Sequence, residues 1–181
     1  MKELSLHVMD IVENSIKGQA TLIKLSIKED IQKNQLKIRI VDNGKGMPRN
    51  VLAKVKNPFV TSRTTRPVGL GISLFEAAAN QCEGSLDIYS KEGLGTAVVA
   101  KFRYDHIDRA PLGDMPRTIT SVVLGLGDAD LVYEHALGDK KFTMDTREIR
   151  LMIGDKVPLD NIQVVSWIKN YVEDELKELC S

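Results

Sequence analysis

The stretch "LIKLSIKEDIQKNQLKIRIVDNGKGM" (22–47) decides how the rest of the chain is read. "LIKLSIKED" (22–30) and "LKIRIVDN" (36–43) each alternate apolar and polar residues, the period of a half-buried strand. A short polar turn around Asn34 separates them, so they form an antiparallel hairpin. The second strand runs straight into Asp42-Asn43-Gly44, one of the commonest turn signals. A turn accounts for that tripeptide by itself. An Asp at the end of a strand can also accept a hydrogen bond from a ligand amino group. Gly44 and Gly46 permit backbone geometry, and a close approach by a ligand, that other residues forbid.

Upstream, residues 3–17 read as a helix. Leu4, Val8, Ile11 and Ser15 make one stripe, and Met9, Val12 and Ile16 make another. Gly18 follows as the expected C′ residue. Asp10, Asn14 and Lys17 recur at spacings of four and three, so an acid, an amide and a base share one stripe of a largely apolar helix. Such a stripe is either a solvated face or one wall of a site.

Downstream, residues 44–71 are rich in Gly, Pro, Thr and basic residues. They read as a long connection with one short helix near 49–55, and a loop of that length within a domain is usually functional. Thr61, Ser62, Arg63 and Arg66 could bind phosphate oxygens, or could be plain solvated loop residues. Gly69 and Gly71 lead into a helix at 72–84, whose free N–H groups and positive dipole end suit an anion. Gly84 is the expected stop. Residues 85–104 give two strands around a turn at Gly93–Gly95.

The order helix, hairpin, loop, helix, hairpin predicts an α/β (α+β) domain, a two-layer sandwich of helices on one face of a mixed, mainly antiparallel sheet. Two prolines and a glycine at 105–117 mark a boundary. Residues 1–104 and an accessory α+β extension at 105–181 are the expected units. In the extension, 118–126 is helix or strand, 130–145 is a hairpin turning at Gly138–Asp139, and 161–179 is an amphipathic helix.

The chain has 181 residues, with 25 basic and 25 acidic side chains. This balance gives no reason to expect nucleic acid or a membrane as partner. The two cysteines, Cys82 and Cys180, lack disulfide-framework or metal-ligand spacing. There is no apolar signal core and no window of about 20 apolar residues. A soluble cytoplasmic protein is expected. Its oligomeric state leaves no mark in the sequence.

Taken in order, "IVENSIKGQAT" (11–21), "VDNGKGM" (41–47), "NPFVTSR" (57–63) and "VGLG" (68–71) resemble the ATPase superfamily of DNA gyrase, the ninety-kilodalton heat-shock chaperone, histidine kinases and MutL, the GHKL superfamily. The first segment looks most like the MutL Asn box. The third looks more like a histidine-kinase "PFxTxK" segment. The resemblance spans about residues 1–104 and implies a Bergerat-type ATP-binding fold with Mg²⁺ and ATP as ligands. It further implies that Asn14 ligates Mg²⁺ and that Asp42 accepts the adenine amino group, with Thr96 helping to hold a bridging water. Gly44 and Gly46 would shape the pocket and hinge its lid. Gly69 and Gly71 would offer N–H groups to the phosphates, and Lys17, Thr61 and Arg63 would surround them.

Three positions depart from the family pattern. Asp10 stands where hydrolysing members carry Glu, one methylene longer. A base needs hydrogen-bond reach before it needs a suitable pKa, so Asp10 is either a weak catalytic base or a group that orients Asn14. Arg63 replaces a common Lys, and Pro67 a common Gly. His7 is expected to be a packing residue and not a phosphate acceptor. Three functions stay open. One is an ATP-dependent regulatory switch with slow hydrolysis that engages a protein partner. A second is a histidine or serine kinase acting in trans. The last is a non-enzymatic nucleotide-binding adaptor.

Overall fold

The computed structural model describes residues 3–55 and 68–181. The elements are α1 (Leu4–Lys17), β1 (Leu22–Asp30), β2 (Gln35–Asp42), α2 (Arg49–Leu52), α3 (Val68–Gln81), β3 (Ser85–Lys91), β4 (Gly95–Arg103), α4 (Met115–Gly125), β5 (Asp130–Leu137), β6 (Lys140–Asp145), α5 (Thr146–Ile153) and α6 (Ile162–Cys180). The strands form one mixed sheet in the order β3-β4-β2-β1-β5-β6. All neighbours are antiparallel except β1 and β5, which run parallel from Leu22↔Asp130 to Glu29↔Leu137.

One face of the sheet is apolar because alternate residues point the same way. Ile23, Leu25 and Ile27 of β1, Leu36, Ile38 and Ile40 of β2, and Val98, Ala100 and Phe102 of β4 are all buried. Helices α3, α1, α4 and α6 cover that face, each touching the next in turn. The result is the expected two-layer α+β sandwich. The residues after 105 continue the same sheet, with β5 pairing along β1 and β6 along β5.

Local chemistry refines several boundaries. At both α1 and α3 the left-handed residue that ends the helix is not the expected glycine but its neighbour, Gln19 (φ 62°) and Glu83 (φ 56°). Gly84 serves close packing instead, since a Cβ there would lie 1.8 Å from the Lys101 carbonyl oxygen. Residues 118–126 settle as helix. Asp114 caps α4 by accepting from the Arg117 N–H, and Pro116 occupies its first turn. Trp167 is half exposed and stacks on Tyr171 at 5.0 Å.

A polar cluster lies along the seam of β1 with β5. His135 Nε2 meets Glu29 Oε2 at 2.7 Å, and His135 Nδ1 meets the Tyr133 hydroxyl at 2.7 Å. The Tyr104 hydroxyl donates to the other Glu29 oxygen at 3.1 Å. Burial pushes the Glu29 carboxyl up, but His135, Tyr104 and Arg109 outweigh it and hold the group below the ordinary carboxylate range.

Candidate functional site

A cleft opens where α1, the end of β2, the start of β4 and α3 meet. It is lined by Asn14, Lys17, Asp42, Gly46 and Thr96, with Ile40, Ile72 and Val98 as apolar walls. The cleft is shallow and open to solvent on one side, enclosing about 90 Å³, less than the roughly 300–1,000 Å³ usual for small-molecule sites.

Asp42 is fixed before any ligand arrives. Its Oδ1 accepts the Gly44 N–H at 2.8 Å and its Oδ2 accepts the Ser15 hydroxyl at 2.6 Å. Each carboxylate oxygen has two lone pairs, so acceptor capacity remains. Asn43 has a different task. Its side chain accepts from the N–H groups of Thr21 and Leu22 and donates to the Thr21 hydroxyl, which ties the turn to the start of β1. Turn chemistry and ligand chemistry are thus divided between adjacent residues of one motif.

The backbone after Asp42 is pinned on both sides. The Lys45 N–H donates to the Gly18 carbonyl at 2.8 Å, and the Gly93 N–H donates to the Lys45 carbonyl at 2.7 Å. A Cβ on Gly44 would sit 2.7 Å from the Gly18 oxygen. Gly46 has φ +69°, and a Cβ there would lie 2.1 Å from the Lys91 oxygen. Both positions therefore require glycine. The next N–H, of Met47, donates to the Ser90 hydroxyl, which also contacts Thr96 Oγ1 at 2.8 Å. Thr96 pairs with Asp42 across β2 and β4, so Ser90 links the cleft floor to the backbone that leads out of it.

Along α1 the polar stripe divides. Asn14 and Lys17 reach the cleft, and the Asn14 side chain makes no hydrogen bond to other described residues. Lys17 also sits in the last turn of α1, where a cation suits the helix dipole. Asp10, one turn earlier, faces α3, because a Cβ on Gly71 would lie 3.4 Å from the Asp10 Cβ. Burial, with Glu13 adding to it and Lys17 opposing, raises the Asp10 carboxyl above its ordinary value. Gly69 and Gly71 fall inside the first turn of α3, which begins at Val68, where backbone N–H groups have no partner within the helix. Thr61 and Arg63 lie outside the described residues. His7 is buried and stacks on Phe75 at 5.0 Å, and burial holds its imidazole at about 4, hence neutral.

Two hydroxyls escape a reading of motifs. Ser15 had a signal, being the polar member of an otherwise apolar stripe. Ser90 had none, because its role depends on the β3–β4 turn folding back against Met47. Among the described residues no three His, Cys, Asp or Glu side chains converge on a metal-sized site, and no helix is long and apolar enough to cross a membrane.

The chain matches the family described as histidine kinase-, DNA gyrase B- and HSP90-like ATPase over residues 2–106. A Rickettsia conorii protein named as an NtrY-like sensor histidine kinase is 24% identical over 108 residues, 60% of this chain and 18% of its own length. The Non-motile and phage-resistance protein of Caulobacter vibrioides is 27% identical over 112 residues, 56% of this chain and 13% of its own. Sensor histidine kinase YvrG of Bacillus subtilis is 24% identical over 100 residues, 52% of this chain and 17% of its own. The chain therefore spans less than a fifth of each of these relatives. Since the family match covers more than half of it, the chain belongs to the histidine kinase-, DNA gyrase B- and HSP90-like ATPases and carries their ATP-binding domain.

Proposed function

We propose that this protein binds Mg²⁺–ATP and acts as an ATP-dependent regulatory switch with slow hydrolysis, engaging a protein partner. The observation that carries the reading is the meeting of Asn14 and Lys17 from α1 with Asp42 and Thr96 from the sheet in one cleft. Asp42, held by Ser15 and Gly44, is oriented to accept the adenine amino group. Ile40, Ile72 and Val98 offer the apolar surface that a purine ring needs. The donor set also fits the metal: the amide oxygen of Asn14, without a partner among the described residues, suits a hard cation that keeps several waters and takes few protein ligands. When bound, the ion neutralises phosphate charge. Lys17 and the first-turn N–H groups at Gly69 and Gly71 would complete the phosphate cradle, with Thr61 and Arg63 added from the connecting segment. Gly44 and Gly46 would serve as the hinge of that segment. Residues 1–104 would form the ATP unit and 105–181 the accessory extension.

Asp10 decides the chemistry. Its raised pKa favours taking up a proton, but its short side chain limits reach, and slow turnover follows if it is the base. The relatives' names favour a second reading, phosphoryl transfer to a His or Ser of a partner. Phosphate release and label transfer to partner proteins, measured on wild type, Asp10→Asn and Asn14→Ala, test both. Asn14→Ala should weaken Mg²⁺–ATP binding about 100-fold, roughly 3 kcal/mol; normal binding would show the site to be wrong. Asp10→Asn should stop phosphate release with little change in affinity. Label passing to a partner would favour the second reading, and no ATP binding by wild type would leave only a non-enzymatic adaptor with a vestigial pocket.

A further inference from the structure

The helices cover one face of the sheet, and the other face carries an uneven distribution of charge. Strand register places its central residues in three rows: Lys24–Val41–Ala97, Ser26–Arg39–Val99 and Lys28–Lys37–Lys101. Five of these nine residues are cationic, none is acidic and none is buried. The chain as a whole has equal numbers of acids and bases, so the patch is a matter of placement and not of composition. Lys28, Lys37, Arg39 and Lys101 have no ion-pair partner among the described residues. The acids nearest the patch are engaged or peripheral. Glu134 pairs with Lys141, Asp145 is held by Arg147 and also feels Lys24, and Asp87 lies on the outermost strand β3.

The third row is costly for the fold. Lys28, Lys37 and Lys101 are direct cross-strand neighbours, with strands about 4.8 Å apart, and like charges placed so are destabilising. Charged residues often guard a sheet edge against aggregation, but β1, β2 and β4 are all interior strands. In the finished sheet the row therefore guards no edge. In the next row Val99 is half-buried and apolar, and Val41 and Ala97 lie one row further, about 13 Å along the strands from Lys37 and Lys101.

We propose that this open face docks an acidic amphipathic helix of a partner protein, lying across the strands with its carboxylates over Lys28, Lys37 and Lys101 and its apolar edge on Val99. The spacings match. Carboxylates at i, i+3 or i+4, and i+7 recur about every 5.4 Å along a helix, close to the interval between strands. Nucleic acid fits less well, because the nine positions hold no aromatic side chain and the one exposed ring beside them among the described residues is Tyr89, across from Ala97, whereas sheet surfaces that bind single strands stack two or three bases. A lipid surface fits less well too, since the short, recessed aliphatics offer nothing to insert.

The test uses the whole protein and a fluorescent synthetic helix of about 20 residues, about 30 Å long. It carries Glu at i, i+4 and i+7 beside a Leu edge, and a scrambled peptide of the same composition is the control. The patterned peptide should bind at least about tenfold tighter than the scrambled one and weaken steeply with salt. Lys37→Glu with Lys101→Glu should reduce binding by about tenfold or more while ATP affinity is unchanged. Lys37→Thr should weaken peptide binding and raise the melting temperature, the sign of a residue kept against stability. Equal binding of the two peptides, tighter binding of a single-stranded oligonucleotide or phosphatidylserine vesicles, self-association through this face, or a lower melting temperature for Lys37→Thr would each overturn the proposal. The readout does not depend on ATP binding, so the proposed function can fail without this one failing.

Discussion

Two polar clusters occupy opposite ends of the paired strands β1 and β2, and they keep different accounts of their hydrogen bonds. At the seam with β5, Glu29 uses one oxygen for His135 and the other for Tyr104, and His135 uses both ring nitrogens. At the other end, Asp42 likewise accepts one bond on each oxygen, but it stands at the wall of a cleft, and Asn14 beside it is unpaired among the described residues. A buried polar group that is closed on itself holds a fold together. One that is fixed in place yet left partly open, at the wall of a cleft, is prepared for a ligand. Both clusters include a carboxylate near a sheet end, so residue type alone does not separate them.

The comparison breaks most visibly at the seam. Glu29→Leu leaves His135 and the Tyr104 hydroxyl without their partner, and should cost about 3 kcal/mol of unfolding free energy, with ATP affinity within about twofold of wild type. Denaturant titration and calorimetry would read the two effects. The sign with pH follows from the depressed carboxyl. Its contribution is complete above the ordinary Glu range and is lost as pH falls through the lower folded value.

Asp42→Ala should do the reverse. Loss of a charge-assisted bond to the base should weaken ATP by roughly 2–3 kcal/mol, about 30- to 150-fold, and lower stability less than the seam variant does. If it melts the protein and spares binding, the two clusters have been assigned the wrong way round.

His7 sharpens the comparison from a third position. Its Nδ1 is buried without a partner among the described residues, so it belongs to neither class. As pH falls from 6.5 towards about 4 the unfolded chain takes up a proton that the folded form refuses, and stability falls over that window. His7→Phe keeps the stack on Phe75, removes the unsatisfied group and should flatten that slope, gaining about 1–2 kcal/mol at pH 5. An unchanged slope in urea titrations across this range would reject the assignment.

What the sequence discloses follows the range of each interaction. The alternation at 22–30 gives β1 with its full extent, and the Gly138–Asp139 turn gives β5 and β6, because strand pattern and turn chemistry are local. Parallel pairing of β1 with β5 is a long-range contact that leaves no local pattern. The start of α3 at Val68 is hidden by glycines that read as loop, and α5 by its eight-residue length. The cleft shows the same division. Asn14, Lys17, Asp42, Gly46 and Thr96 carry motif signals and meet in space, whereas Ser15 and Ser90 gain meaning only from partners 27 and 43 positions away.

The parallel pairing of β1 and β5 also has a consequence in time. Leu22 meets Asp130 across more than a hundred positions of chain. At synthesis rates of about 5–20 residues per second, β1 waits roughly 5–20 s on the ribosome before its neighbour exists. Through that interval its edge is an open template for another strand. The alternating charges of Lys24 and Lys28 along β1 then serve a newly made chain as they do no finished one, by discouraging a wrong partner until the right one arrives.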